Sequence, residues 1–119
     1  MANLTLYEDM ICSAVQEKLP IYAIYDGHKR WMCPHVFGYK GSKMHVLSYQ
    51  YQGESSKGEL ALPVDPLDGP QDRWRCMEVS KLIDLEILPS GIWYTAKNHS
   101  KRQTCVDSVL AVITGFSSV

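Results

Sequence analysis

The 119-residue chain has no apolar run near the ~18 residues that a bilayer span requires; the longest runs, IYAIY and VLAVI, hold five each. Its first residues, MANLTLYEDM, lack a basic stretch leading into a long apolar one, so neither an export signal nor a membrane contact is expected, and a cytoplasmic setting is. The net charge of −1 gives no whole-chain attraction to polyanions. The four cysteines, Cys12, Cys33, Cys76 and Cys105, form no CxxC pair and sit among apolar neighbours, which predicts reduced core thiols. Cys33-Pro34-His35 is too tight for the usual zinc-ligand spacing and no second pair matches it, so no metal is expected. Neither G-x-S-x-G, HExxH, a P-loop nor GxGxxG occurs, and no nucleophile motif surrounds any cysteine, which argues against an enzyme and against a bound cofactor. No repeat, heptad or low-complexity tract is present.

At 45% hydrophobic residues the chain suits one domain, residues 1–119, with its own core. The segment TLYEDMICSAVQEKLP places Tyr7, Ile11, Ala14 and Val15 on one helical stripe. Thr5 and Glu8 have capping-box spacing and Pro20 restricts Leu19, which predicts a helix over about residues 6–18. Beyond Pro20 the pattern turns to β. IYAIY leads into Asp26-Gly27, a tight-hairpin signal, and the return strand carries Pro34, which demands an edge or a bulge. A second turn at GYKGS leads into KMHVLSYQYQ, with His45, Leu47, Tyr49 and Tyr51 on one face. Residues 53–72 hold three of the eight glycines and three of the six prolines, a long loop that either lids a site or is mobile. Next, WRCMEVSKLIDLEIL sets Met77, Val79, Ile83, Leu85 and Ile87 at odd positions like a half-buried strand, with Lys81 implying a bend or a snorkelling amine. Residues 104–116 suit a helix or a strand, and the stripe of Val106, Val109, Leu110 and Ile113 favours the helix. The expected class is mainly β (α+β): an N-terminal helix (residues 5–19), a strongly bent or barrel-like antiparallel sheet of about five strands (20–88) and a C-terminal extension (89–119).

Charge is segregated along the chain. His28 to Gly58 carries five bases against one acid, and Glu59 to Leu88 seven acids against three bases, so either opposed charged surfaces or two solvated faces are expected. Seven of the twelve aromatics (Tyr22, Tyr25, Trp31, Phe37, Tyr39, Tyr49, Tyr51) interleave with the basic stretch. Rings that stack on bases beside cations that neutralise phosphates are the equipment of single-strand binders, although a small barrel also needs aromatics for its core.

The order Y-x-G-x-x-R-x-x-x-P-H (residues 25–35), V-L-x-Y-Q (46–50) and W-R-x-M-x-V-S-K-L (74–82) resembles the WYL domain, most of all its short stand-alone relatives, over about residues 5–88. Met44-His45-Val46 stands where the Trp-Tyr-Leu triplet would be. The resemblance implies a helix followed by an Sm- or SH3-like barrel, as found in bacterial transcription regulators and phage-defence proteins, that binds nucleotides or nucleic acid and is not an enzyme. It also implies ligand contacts at Arg30, His35 and Arg75, with Lys81 where the family usually has a second arginine. Together these readings predict an anionic ligand, a nucleotide or single-stranded nucleic acid, held by Arg30, His35, Gln50, Arg75 and Lys81, with peripheral attraction from Lys29, Lys43 and Lys57. The alternative is a protein-interaction module, a homodimer or a partner-bound chain, using an exposed edge strand and the acidic face.

Overall fold

The computed structural model describes residues 4–55, 58–100 and 104–113. Helix α1 spans Leu4–Glu17 and buries Ile11, Ala14 and Val15. Thr5 thus lies within the helix instead of capping it. Termination follows the Pro20 signal: Lys18 takes a left-handed conformation at φ 55° and the Leu19 amide donates to the Ala14 carbonyl at 2.8 Å, closing the last turn.

The strands are β1 (Ile21–Tyr25), β2 (His28–Lys40), β3 (Lys43–Ser55), β4 (Gly58–Leu60), β5 (Trp74–Glu78), β6 (Ile83–Ile87) and β7 (Ser108–Val112). Asp26 and Gly27 make the β1–β2 turn at φ 52° and 76°, and all strand pairings are antiparallel. Strands β2 and β3, thirteen residues each, are the spine. β3 covers one edge of β2 along its length, while the other edge pairs first with β1 (residues 28–32) and then with β7 (36–39). Pro34, which has no N–H to give, falls in the gap between those partners, at a register shift. Likewise the outer edge of β3 pairs with β5 at residues 45–49 and with β4 at 53–55. The main path runs β4-β3-β2-β1-β6, with β5 added on β3 and β7 on β2. This sheet is bent but not closed by hydrogen bonds, so the expected barrel is replaced by an open, curled sheet. The core lies between its concave face and α1, which packs on β2, β6 and β7 around Met32, Val36, Phe37, Val46, Met77 and Leu82. No helix among the described residues is long and apolar enough to cross a membrane.

Four further expectations are corrected. Cys76 and Cys105 form a disulfide with Cα atoms 5.5 Å apart, leaving only Cys12 and Cys33 as thiols; sheet curl brings together two chain segments whose separation hides the pairing in sequence. The favoured C-terminal helix is strand β7, because the free edge of β2 beyond Pro34 supplies a ladder that outweighs local helical periodicity. The loop 53–72 begins as a hairpin, β3 continuing to Ser55 and β4 returning from Gly58. The apolar alternation breaks at a 3₁₀ turn, Val79–Lys81, after which Leu82 is buried and Ile83 exposed. That turn is the bend which Lys81 implied; beyond it Leu85 is buried and Ile87 half-buried, so the odd-numbered phase resumes after the Leu82–Ile83 exception. Gly38 is fixed by β7: a Cβ there would collide with the Ser108 carbonyl oxygen and the Val106 side chain.

Candidate functional site

Where β4 and β5 part company along the edge of β3, residues 50–52 have no strand partner on that side, and a cleft of about 490 Å³ opens. Arg30, Ser55, Leu60, Pro70, Asp72, Arg73 and Arg75 line it. Gln50, wholly buried at its base, organises it. Its side-chain nitrogen donates to the carbonyls of Gln52 (3.3 Å) and Glu54 (2.9 Å), which fixes the amide and turns its oxygen toward the arginines. That oxygen accepts from Arg30 Nη1 and from Arg75 Nε, each at 3.2 Å. One neutral oxygen therefore holds two guanidiniums side by side.

Each arginine is further fixed by backbone acceptors. Arg30 Nε donates to the Tyr25 carbonyl at 3.2 Å, and its guanidinium lies 5.6 Å from the Tyr25 ring centre. Arg75 Nη1 donates to the carbonyls of Asp72 and Trp74. Arg73 Nη1 reaches the Ala61 carbonyl at 2.7 Å, and the Arg73 carbonyl accepts from the Gln50 amide at 3.0 Å, which seats residue 73 against the spine. Among the described residues no carboxylate forms an ion pair with any of these three arginines. Burial lowers the pKa of Arg30 from its usual value, against the pull of Asp26. It also lowers that of Arg75, and the neighbouring Arg30 charge pushes the same way. Asp72 lines the same cleft and acts against that lowering at Arg75, as Asp26 does at Arg30, but three arginines outnumber the one carboxylate in the lining, and a pre-formed set of cations with like-charge repulsion favours an incoming anion.

Three of the sequence-derived residues, Arg30, Gln50 and Arg75, thus meet in one place. His35 does not join them. It is wholly buried in a box with Trp74 and Trp93, ring centres 4.7 and 4.9 Å away. Nδ1 lies 2.7 Å from the Cys33 carbonyl, which can only accept, so Nδ1 carries a proton; Nε2 pairs with the Thr95 hydroxyl at 2.9 Å. The imidazole presents no atom to the cleft. Lys81 lines a separate cleft of about 580 Å³ with Tyr7, Asp26 and Asp84 that shares no residue with the first. Lys43 sits near the β2–β3 turn, 3.8 Å from a Glu78 carboxylate oxygen, and Lys57 lies outside the described residues. Lys29 lines an adjoining hollow with Trp31, Gln52 and Leu60. Leu60 borders both hollows, so the half-buried Trp31 face continues the arginine cleft.

Arg73 was hidden inside the acidic stretch of the sequence. The signal for it is the Arg73-Trp74-Arg75 alternation, which puts two arginines on one side of an extended segment. Three of the seven aromatics of the basic stretch are core residues: Phe37, Tyr49 and Tyr51 are buried, with Tyr51 stacked on Tyr94 at 4.4 Å.

The separation of roles at His35 is measurable. His35→Leu keeps similar volume but leaves the Cys33 carbonyl and Thr95 hydroxyl without their buried partner, an expected loss of about 2 kcal/mol in urea unfolding. Anion affinity should stay within twofold; a large loss of affinity with little change in stability would make His35 a ligand contact after all.

No family model, curated protein or solved structure matches this chain.

Proposed function

We propose that this protein is a non-enzymatic, WYL-like binding module whose curled sheet acts as an incomplete Sm- or SH3-like barrel, working in the cytoplasm as a sensor of a phosphate-bearing ligand. The ligand is a nucleotide or a short stretch of single-stranded nucleic acid. One observation carries the reading: Arg30, Arg73 and Arg75 converge on a cleft around Gln50, outnumbering its one lining carboxylate, Asp72, and among the described residues no carboxylate forms an ion pair with them. Guanidinium forks match phosphate oxygens two at a time. Trp31, one hollow away, supplies a ring on which a base can stack. A regulatory role, in transcription or in phage defence, would pass through a partner, because the described residues contain a single α-helix and no helix-turn-helix.

Binding of fluorescein-labelled oligothymidylate and of adenosine triphosphate, followed at rising salt, tests this. Engagement of three cations predicts a slope of log affinity against log salt of about −2 for the oligonucleotide, or roughly a sixteenfold loss between 50 and 200 mM salt. Affinity indifferent to salt, or absence of binding to either probe at low salt, would overturn the reading.

A further inference from the structure

We infer that the Cys76–Cys105 bond is a redox modification site that sets the affinity of the arginine cleft, closed and anion-binding when oxidised, loosened when reduced by a dithiol. This rests on the anion-binding reading of the cleft. Its starting point is placement. On the distal half of the spine the strands run β7-β2-β3-β5, with β5 and β7 as the outer edges. The disulfide joins β5 to the segment that leads into β7, and so closes covalently a half-sheet whose hydrogen bonds leave it open. The residue before Cys76 is Arg75, and Arg73 lies two further back, so the tethered strand is the one that delivers two of the three cations.

The bond is also placed for exchange. Cys76 is solvent-exposed whereas Cys105 is 4% exposed, so an incoming thiolate reaches Cys76 Sγ. Attack there forms a mixed disulfide and expels the Cys105 thiolate, which takes up a proton. The second thiolate of the reductant then attacks its own mixed-disulfide sulfur and releases the Cys76 thiolate, which is protonated in turn. Two electrons pass from the dithiol to the protein and the dithiol becomes a disulfide. The remaining thiols do not compete. Cys33 is wholly buried, with the Tyr94 amide donating to its sulfur, and burial pushes it up to about 12; Cys12, on α1, is also raised by burial and by Glu8 and Asp9. Disulfides in a reducing compartment are characteristically transient and redox-sensing.

Reduction need not unfold the chain. The C-terminal segment keeps the Asp107 amide to Tyr39 carbonyl bond (2.8 Å), the Ile113 amide to His35 carbonyl bond (3.0 Å) and the β7 ladder on β2. β5 keeps its five-residue register on β3. What is lost is the outer restraint on β5, and with it the pre-organisation of Arg73 and Arg75.

The test equilibrates the purified protein in dithiothreitol or in oxidised glutathione and measures oligothymidylate affinity together with hydrogen exchange of residues 73–78. The expected result is about tenfold tighter binding and slower exchange in the oxidised form, with Cys76→Ser and Cys105→Ser matching the reduced form under both conditions. Equal affinity in the two states would overturn the redox coupling while leaving the anion-binding reading intact. Failure of both forms to bind would remove that reading, and with it the coupling. Unchanged exchange at 73–78, or failure of the pair to oxidise, overturns the redox inference whatever the probe does.

Discussion

Arg30→Ala combined with Arg75→Ala is expected to weaken oligothymidylate binding at least a hundredfold. The two guanidiniums meet on the same Gln50 oxygen, and both are held in place before a ligand arrives, so neither has to be immobilised on binding. A hydrogen bond to a charged group contributes about 1.5–3 kcal/mol, and two such contacts exceed the ~1.4 kcal/mol per decade of affinity by a factor of two or more. Lysine at both positions separates charge from geometry. It keeps the Coulomb attraction but loses the fork and the bond to Gln50, and should retain an intermediate affinity with an unchanged salt slope. Lys43→Ala, at the far turn beside Glu78, should leave binding within twofold. Circular dichroism of each variant guards against a folding defect, since Arg30 is only 7% exposed and its removal leaves space beside Gln50. Wild-type affinity in a folded double-alanine variant would mean that the ligand sits elsewhere.

The second large effect is on stability. Cys76→Ser with Cys105→Ser is expected to cost about 3.5 kcal/mol, because the bond closes a loop of 29 residues and removes the corresponding entropy from the unfolded chain. For a domain of this size that corresponds to a fall in Tm of roughly 14 °C. Dithiothreitol should lower the wild-type Tm to the value of the double-serine variant and leave the variant itself unmoved. A variant as stable as the wild type, or one that still responds to the reductant, would show that the bond does not cross-link the folded chain.

The two effects act on one strand but differ in kind. The arginine variants remove ligand contacts, whereas loss of the bond loosens the strand that carries two of the cations. Measuring the double-serine variant for binding and the double-alanine variant for Tm separates them. The first should bind about tenfold more weakly with its salt slope kept, and the second should lose most of its affinity with its response to dithiothreitol kept.

Local signals in the sequence were enough for the spine of the fold. Asp26-Gly27 specifies a tight turn because few residue pairs tolerate two positive φ angles in succession, and the helix ends before Pro20 because the ring forbids the helical conformation ahead of it. Pro34 announced a break in pairing because it lacks a donor. These are properties of a few neighbouring residues, and they determined one helix, the β1–β2–β3 meander and a cluster of cations and aromatics on it. The tertiary structure decided the rest. Whether 108–112 would be strand or helix depended on a vacant edge of β2 some seventy residues earlier, and whether Leu82 or Ile83 would be buried depended on a 3₁₀ turn placed by the bend of the sheet. The fate of His35 and Arg73 was set in the same way. The histidine resembles a ligand contact in sequence yet is enclosed by Trp74 and Trp93, while the arginine, lost among acids in sequence, is carried to Arg30 by the pairing of β5 with β3. Cys76 and Cys105 meet only because the half-sheet curls far enough to bring its outer segments together. Turns and helix ends are fixed by short-range sterics and hydrogen bonding; burial, charge convergence and cross-linking depend on contacts between segments far apart in the chain, which exist only once the sheet has assembled over its core.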